Sequence, residues 1–178
     1  LTELAVFFVV AVTCTAASGA GLFEYSNYSV VFAYFFLFGV ATMSFSFFVA
    51  SVCSKAKTAV IVGLVLHFAG WILFYPLNKP GVTAGAQTLG SLHPVIALAV
   101  GSTAFADYED ARIGLKWKNL ADSPAFGRCL FMLFFDAFFW AALAWYLGAV
   151  VKNDYGTQRP WHFPVSEWCL RPLCFGDW

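Results

Sequence analysis

The residue in this sequence with the most chemistry to offer is a single carboxylate. Asp136 is the one charge well inside about 24 apolar or small residues of FGRCLFMLFFDAFFWAALAWYLGAVV, residues 126–151. That length matches a transmembrane helix, which needs roughly 20 residues at 1.5 Å rise. Insertion scales put an aspartate at the centre of such a helix near +3 kcal/mol, so it must face other helices and find a donor, or stay protonated. Two chemistries compete: a proton or substrate contact along a path, and an inter-helix hydrogen bond that fixes packing. Packing is favoured, because no second acid or base is visible in the other spans. Thr42, Ser44, Ser46 and His67 are the available donors. Helical spacing places Cys129, Leu133, Trp140 and Ala144 on the face of Asp136.

The other reactive types are sparse. His67 is the one titratable side chain of its apolar run. A histidine there can relay protons, but a hydrogen-bonded structural role is the plainer reading. His67, His93 and His162 share no i, i+4 spacing of the metal-binding kind, which disfavours a membrane-embedded metalloenzyme. Cys14, Cys53 and Cys129 fall in apolar runs, where a thiol is a small hydrophobe. Cys169 and Cys174, with His162 nearby, lack the ligand spacing of a zinc site. Asn27-Tyr28-Ser29 is a glycosylation sequon, but it lies so close to the first two apolar runs that Asn27 reads as a turn residue.

These residues must be held by elements suited to lipid. Of 178 residues, 61% are hydrophobic and 11% charged, against about 25% charged in a soluble domain. Too little polar surface remains to cover a globule in water, so the fold class is all-α membrane protein. A net charge of zero gives no reason to expect nucleic acid as a partner. The first run follows Leu1 without a basic n-region, so it is not a signal peptide, and both ends read as cut from a longer chain.

Four spans are expected, at about 4–22, 30–53, 58–75 and 126–151. The second half of the first is small and weakly polar, which permits close helix approach. In the second, Gly39, Met43, Ser46 and Ala50 mark a small-residue face among seven phenylalanines. The third stops at Pro76. Lys55 and Lys57, between the second and third, favour a cytoplasmic turn. Between Leu77 and Ala125, Lys79-Pro80-Gly81 and His93-Pro94 bracket an apolar run of about 12 residues, and Val95–Ala106 is a second. Each is about half a bilayer long, which suggests a re-entrant hairpin over about 81–106; one span kinked at Pro94 is the alternative. Gly81 and Gly85 could seat the hairpin on a neighbour. A mixed-charge surface connection follows, with Trp117 placed as an interface anchor. Residues 1–151 form the bundle and 152–178 a polar, aromatic connector.

Ile113-Gly-Leu-Lys-Trp-Lys-Asn-Leu120, Ser123-Pro124, Leu133-Phe-Phe-Asp136, Trp145-Tyr-Leu-Gly-Ala-Val150 and Tyr155-Gly-Thr-Gln-Arg-Pro-Trp-His-Phe-Pro164 occur in that order. This series resembles the end of the first transmembrane domain of A-subfamily ABC transporters. There a G-[IV]-x-W-x-N-L segment leads to a last helix with L-F-D, then to W-Y-x-x-x-V and Y-G-x-P-R-P-W-Y-F-P. Gln158 and His162 are this chain's departures from the last pattern. Upstream, Phe48–Ala59 resembles the family's short cytoplasmic turn between its fourth and fifth helices.

The resemblance implies that the four spans are the third to sixth helices of a six-helix half, with the re-entrant pair on the outer side. It implies ATP-driven movement of lipids or other amphiphiles. The partners would be membrane lipids, the remaining helices, and nucleotide-binding domains holding ATP and Mg. Arg159, Pro160, Trp161 and Pro164 would form a coupling strap toward the first of those domains. No G-x-x-x-x-G-K-[ST] phosphate loop occurs in the sequence, so these residues do not fit ATP and would not hydrolyse it alone. A non-catalytic helical scaffold subunit of a larger membrane complex is the alternative. The residues carry no signal separating plasma from organelle membrane.

Overall fold

Asn27 starts the first helix that is described along its whole length. Its side-chain oxygen accepts from the Ser29 amide at 3.0 Å, capping α1 (Tyr28–Val52). The computed structural model describes residues 8, 12, 16, 23–120, 123–151, 161 and 162. After α1 come α2 (Ala56–Leu77), α3 (Ala84–Gly90), α4 (Pro94–Asp110) and α5 (Pro124–Val150). There is no strand among the described residues. Helices α1, α2 and α5 are long and apolar enough to cross a membrane, with mean hydropathy of 2.0, 2.0 and 1.8 in their best windows. The expected span at 4–22 lies outside the described residues except for Phe8, Val12 and Ala16, which are helical and exposed. Phe8 packs edge-on against Phe32 and Phe36 of α1.

Proline sets two of the starts. Pro94 and Pro124 stand at the first position of α4 and α5, where a missing N–H breaks no helical bond and φ is already helical. Helix α2 runs through Pro76 to Leu77, where a proline two residues from the end removes little of the ladder. The half-bilayer runs come out unequal. The first is helical only over α3's 7 residues, whereas α4 extends to 17. Between them Leu92 and His93 donate to Leu89 and Gly90, so the chain turns and no single kinked helix forms.

Helices α1 and α5 make the most extensive pairing, α4 packs on both, and α2 is held more lightly by α1 and α4. The core of this packing is Val30, Tyr34, Ala41, Phe105, Leu115, Phe126 and Leu133. Tyr34 donates to the Leu98 carbonyl and lies 3.2 Å from the Ser102 hydroxyl. On α1 the buried stripe runs through Val30, Tyr34, Ala41, Phe45 and Val49, so the small-residue face turns outward below Gly39, with Ser46 and Ala50 exposed. Gly81 and Gly85 have no neighbouring atom where a side chain would begin, so the expected glycine seat does not form among the described residues.

One end of the bundle is closed by a polar cap. The Glu109 carboxylate accepts from the Tyr25 and Ser26 amides at 3.1 and 2.9 Å. The Ser26 hydroxyl accepts from Leu115 N at 2.8 Å, and Asn27 N donates back to Leu115 O at 2.9 Å. Asn119 accepts from Lys116 N and donates to Gly114 O. The Trp117 indole donates to the Ser29 hydroxyl at 2.7 Å. Gly114 has φ +64, and a Cβ there would collide with the Tyr25 backbone. Only glycine lets the two loops approach this closely.

Candidate functional site

Phe45 is 3% exposed and is the hub of an aromatic cluster joining three helices and the α3–α4 turn. Its ring centroid lies 4.9 Å from His93, 5.0 Å from Trp140 and 5.5 Å from His67. The two histidines, apart in sequence, are 5.9 Å from each other. The approach depends on Gly70, the one buried residue of α2, because a Cβ there would stand 2.8 Å from the His93 ring. Beside the cluster is a cavity of about 580 Å³, walled by Phe45, Phe48, Leu73, Leu92, Ile96 and Trp140 with His93. A second cavity of about 400 Å³ lies between α1 and α2, bordered by His67, Gly63 and Val49.

The polar groups of this region differ in how they are satisfied. His67 Nδ1 lies 2.9 Å from the Gly63 carbonyl, which can only accept, so that nitrogen carries the proton. The Trp140 indole donates to Leu92 O at 3.0 Å. Both ring nitrogens of His93 are buried without a hydrogen-bond partner among the described residues. A group buried in that state costs about 1–3 kcal/mol of desolvation.

Asp136 is fully buried on α5, on the face shared with Cys129 and Leu133. Neither carboxylate oxygen has a hydrogen-bond partner among the described residues. The expected donors are engaged elsewhere or do not reach it. Ser46 donates to the Thr42 carbonyl, His67 to Gly63, and the Thr42 hydroxyl is itself unpaired. The reason is local: in a helix, a serine or a histidine can turn back to a carbonyl four residues earlier, and these do.

The remaining expected residues are placed as follows. The Asn27 side chain is taken up in capping α1 and binding the Ser29 hydroxyl at 3.1 Å. Trp161 is exposed, and its carbonyl accepts from the Tyr146 hydroxyl at 3.0 Å, tying the chain after α5 back to that helix. Arg159, Pro160 and Pro164 lie outside the described residues. Sequence reasoning missed the pairing of His67 with His93 and the clamp made by Glu109, which it left in a surface connection. The W-x-N-L segment was the available signal for that cap, since Trp117 and Asn119 both bond within it.

No family model matches the chain. Among curated proteins, it is 31% identical over 157 residues to the phospholipid-transporting ATPase ABCA3 of Mus musculus, covering 83% of this chain and 9% of that protein. It is 30% identical over 155 residues to ATP-binding cassette sub-family A member 2 of Homo sapiens, covering 80% of this chain and 6% of the relative. A third relative is the retinal-specific phospholipid-transporting ATPase ABCA4 of Mus musculus, at 31% over 157 residues, covering 82% and 7%. The chain is homologous to the A subfamily of ATP-binding cassette transporters. It spans less than a tenth of the length of these curated A-subfamily relatives. With three helices of membrane-crossing length, it is a membrane-embedded segment.

Proposed function

We propose that the chain is part of the first transmembrane domain of an A-subfamily transporter that moves lipids or other amphiphiles across or out of a membrane. ATP is bound and hydrolysed in nucleotide-binding domains elsewhere in the protein. The observation that carries this reading is the identity of 31% over 157 residues to a protein named as a phospholipid-transporting ATPase. In this reading the protein is multi-pass, and α1, α2 and α5 are the fourth, fifth and sixth helices. Lys55 and Lys57 face the cytoplasm, so the Glu109 cap is on the outer side and the α3–α4 pair enters from that side.

Closure of the nucleotide-binding domains would move these helices as rigid bodies. Such a mechanism needs stiffness where force enters and freedom where lipid passes. Pro160 and Pro164 limit φ in the connector, and the Tyr146 bond to Trp161 anchors its described part to α5. We assign Asp136 to helix packing through its burial on α5, not through the inter-helix hydrogen bond expected of it.

The test is movement of a fluorescent phospholipid by the full-length protein in liposomes. ATP-dependent movement is expected. A folded protein that hydrolyses no ATP and moves no lipid would overturn the transporter reading in favour of a scaffold. Asp136→Asn should leave assembly and ATP turnover near normal; loss of transport with intact folding would assign the residue to the path instead. Replacing Pro160 and Pro164 with Gly should raise the ATP used per lipid moved, and an unchanged ratio would remove the strap.

A further inference from the structure

No water-sized molecule reaches either ring nitrogen of His93, so a partner can come only from groups already packed on the ring. Phe45 and His67 face it at 4.9 and 5.9 Å between ring centres, and Gly70 lies against its Nδ1–Cε1 edge. Of these, His67 alone has a side chain that forms hydrogen bonds. The nearby Trp140 indole is already bonded to Leu92. His67 is also the right kind of partner. Its Nδ1–H is given to the Gly63 carbonyl, which leaves Nε2 as an acceptor, and a neutral His93 has one N–H to donate.

A short distance separates the two. Imidazoles joined by one N–H···N bond of about 3 Å have their centres about 5 Å apart, so the observed 5.9 Å is within about 1 Å of a bond. The ring planes meet at 76°, so one ring must also turn.

Helix α2 can supply the move. Beyond Gly70 it is fastened by Phe74 and Leu77, which pack on Ile96, Val100 and Cys129. Before Gly70 none of its residues is buried. His67 stands three residues before Gly70, about 4.5 Å along the axis, so a tilt of about 10° at Gly70 brings it about 0.8 Å closer. The cavity of about 400 Å³ bordered by His67, Gly63 and Val49 gives room for the tilt between α1 and α2.

We propose that His67 and His93 form a latch between α2 and the α3–α4 turn. In the position described above, the rings meet edge to face and His93 is unbonded. In the other, the His93 N–H donates to His67 Nε2 and the first half of α2 lies closer to α1. The inference rests on the groups around His93 and not on what the protein transports.

Cryo-electron microscopy of the full-length protein in nanodiscs, without nucleotide and with ATP, tests it by sorting particles on the tilt of α2. Two positions are expected in at least one condition, with the histidine nitrogens about 3 Å apart in the closer one. His67→Phe keeps a ring but has no acceptor, and should lower the closer class roughly fivefold relative to the other, as loss of one neutral hydrogen bond does. His67→Gln restores an acceptor and should bring that class back. A single position of α2 in both conditions would overturn the proposal. So would His93 bonded to a residue from elsewhere in the protein, or a closer class that His67→Phe leaves intact. The classes are read whether or not lipid moves, so failure of the transport reading is distinguished from failure of the latch.

Discussion

The cap and the histidine groove use similar side chains to opposite effect. At the cap, Glu109, Ser26, Asn119 and Trp117 are each bonded, and two loops far apart in sequence are locked at 2.7–3.1 Å. At the groove, the His93 ring is surrounded by other rings, neither of its nitrogens has a hydrogen-bond partner among the described residues, and a cavity adjoins it. The cap's polar groups can be accounted for by the fold alone. The His93 ring nitrogens of the groove cannot, and an unmade buried hydrogen bond calls for an explanation outside this packing.

Variants can break or sharpen this contrast. The largest effect is expected at Gly114, where valine would combine a positive φ with a backbone collision. Gly114→Val should cost roughly 3 kcal/mol or more, read as thermal unfolding in detergent. Glu109→Ala strands the part-buried Ser26 amide and leaves the exposed Tyr25 amide to water, and should cost about 1–2 kcal/mol in the same measurement. Trp117→Phe keeps the ring and loses one half-exposed hydrogen bond, so about 0.5–1 kcal/mol is expected. His93→Phe removes two unsatisfied nitrogens from an aromatic setting, so it should not destabilise and should raise stability by about 1 kcal/mol in the same measurement. If His93→Phe proved as damaging as Glu109→Ala, the groove would be a second structural lock and the contrast would fail.

Much of this architecture was legible because hydrocarbon imposes length. Runs of about 20 apolar residues have few alternatives in a bilayer, and the ends of α1, α2 and α5 differ by one or two residues from those of the expected runs. The His93-Pro94 break was legible because proline suits a helix start. The pairings were not. Helices α1, α2 and α5 are apolar nearly all round, so periodicity says little about which face is inward. The buried stripe through Tyr34 and Phe45 had no stronger signal than the small-residue face that turned out exposed. Asp136 was correctly expected to face the bundle, but its donors were chosen by type alone. Serine and histidine in a helix can satisfy themselves locally, and Ser46 and His67 do. Glu109 sits among ordinary surface charges, and only the folded chain brings Tyr25 and Ser26 to it.

Helix α2 has 22 residues and only Gly70 buried. A rod held at Gly70, with only Phe74 and Leu77 packed on Ile96, Val100 and Cys129 beyond it, has little to fix its inclination against the medium around it. In a thinner bilayer α2 should lean further, at a cost of only fractions of a kcal/mol per Å, turning about Gly70 and carrying Leu73 away from or toward the His93 ring. Acyl-chain length would then set the width of the groove mouth, making this helix a gauge of membrane thickness built into the segment.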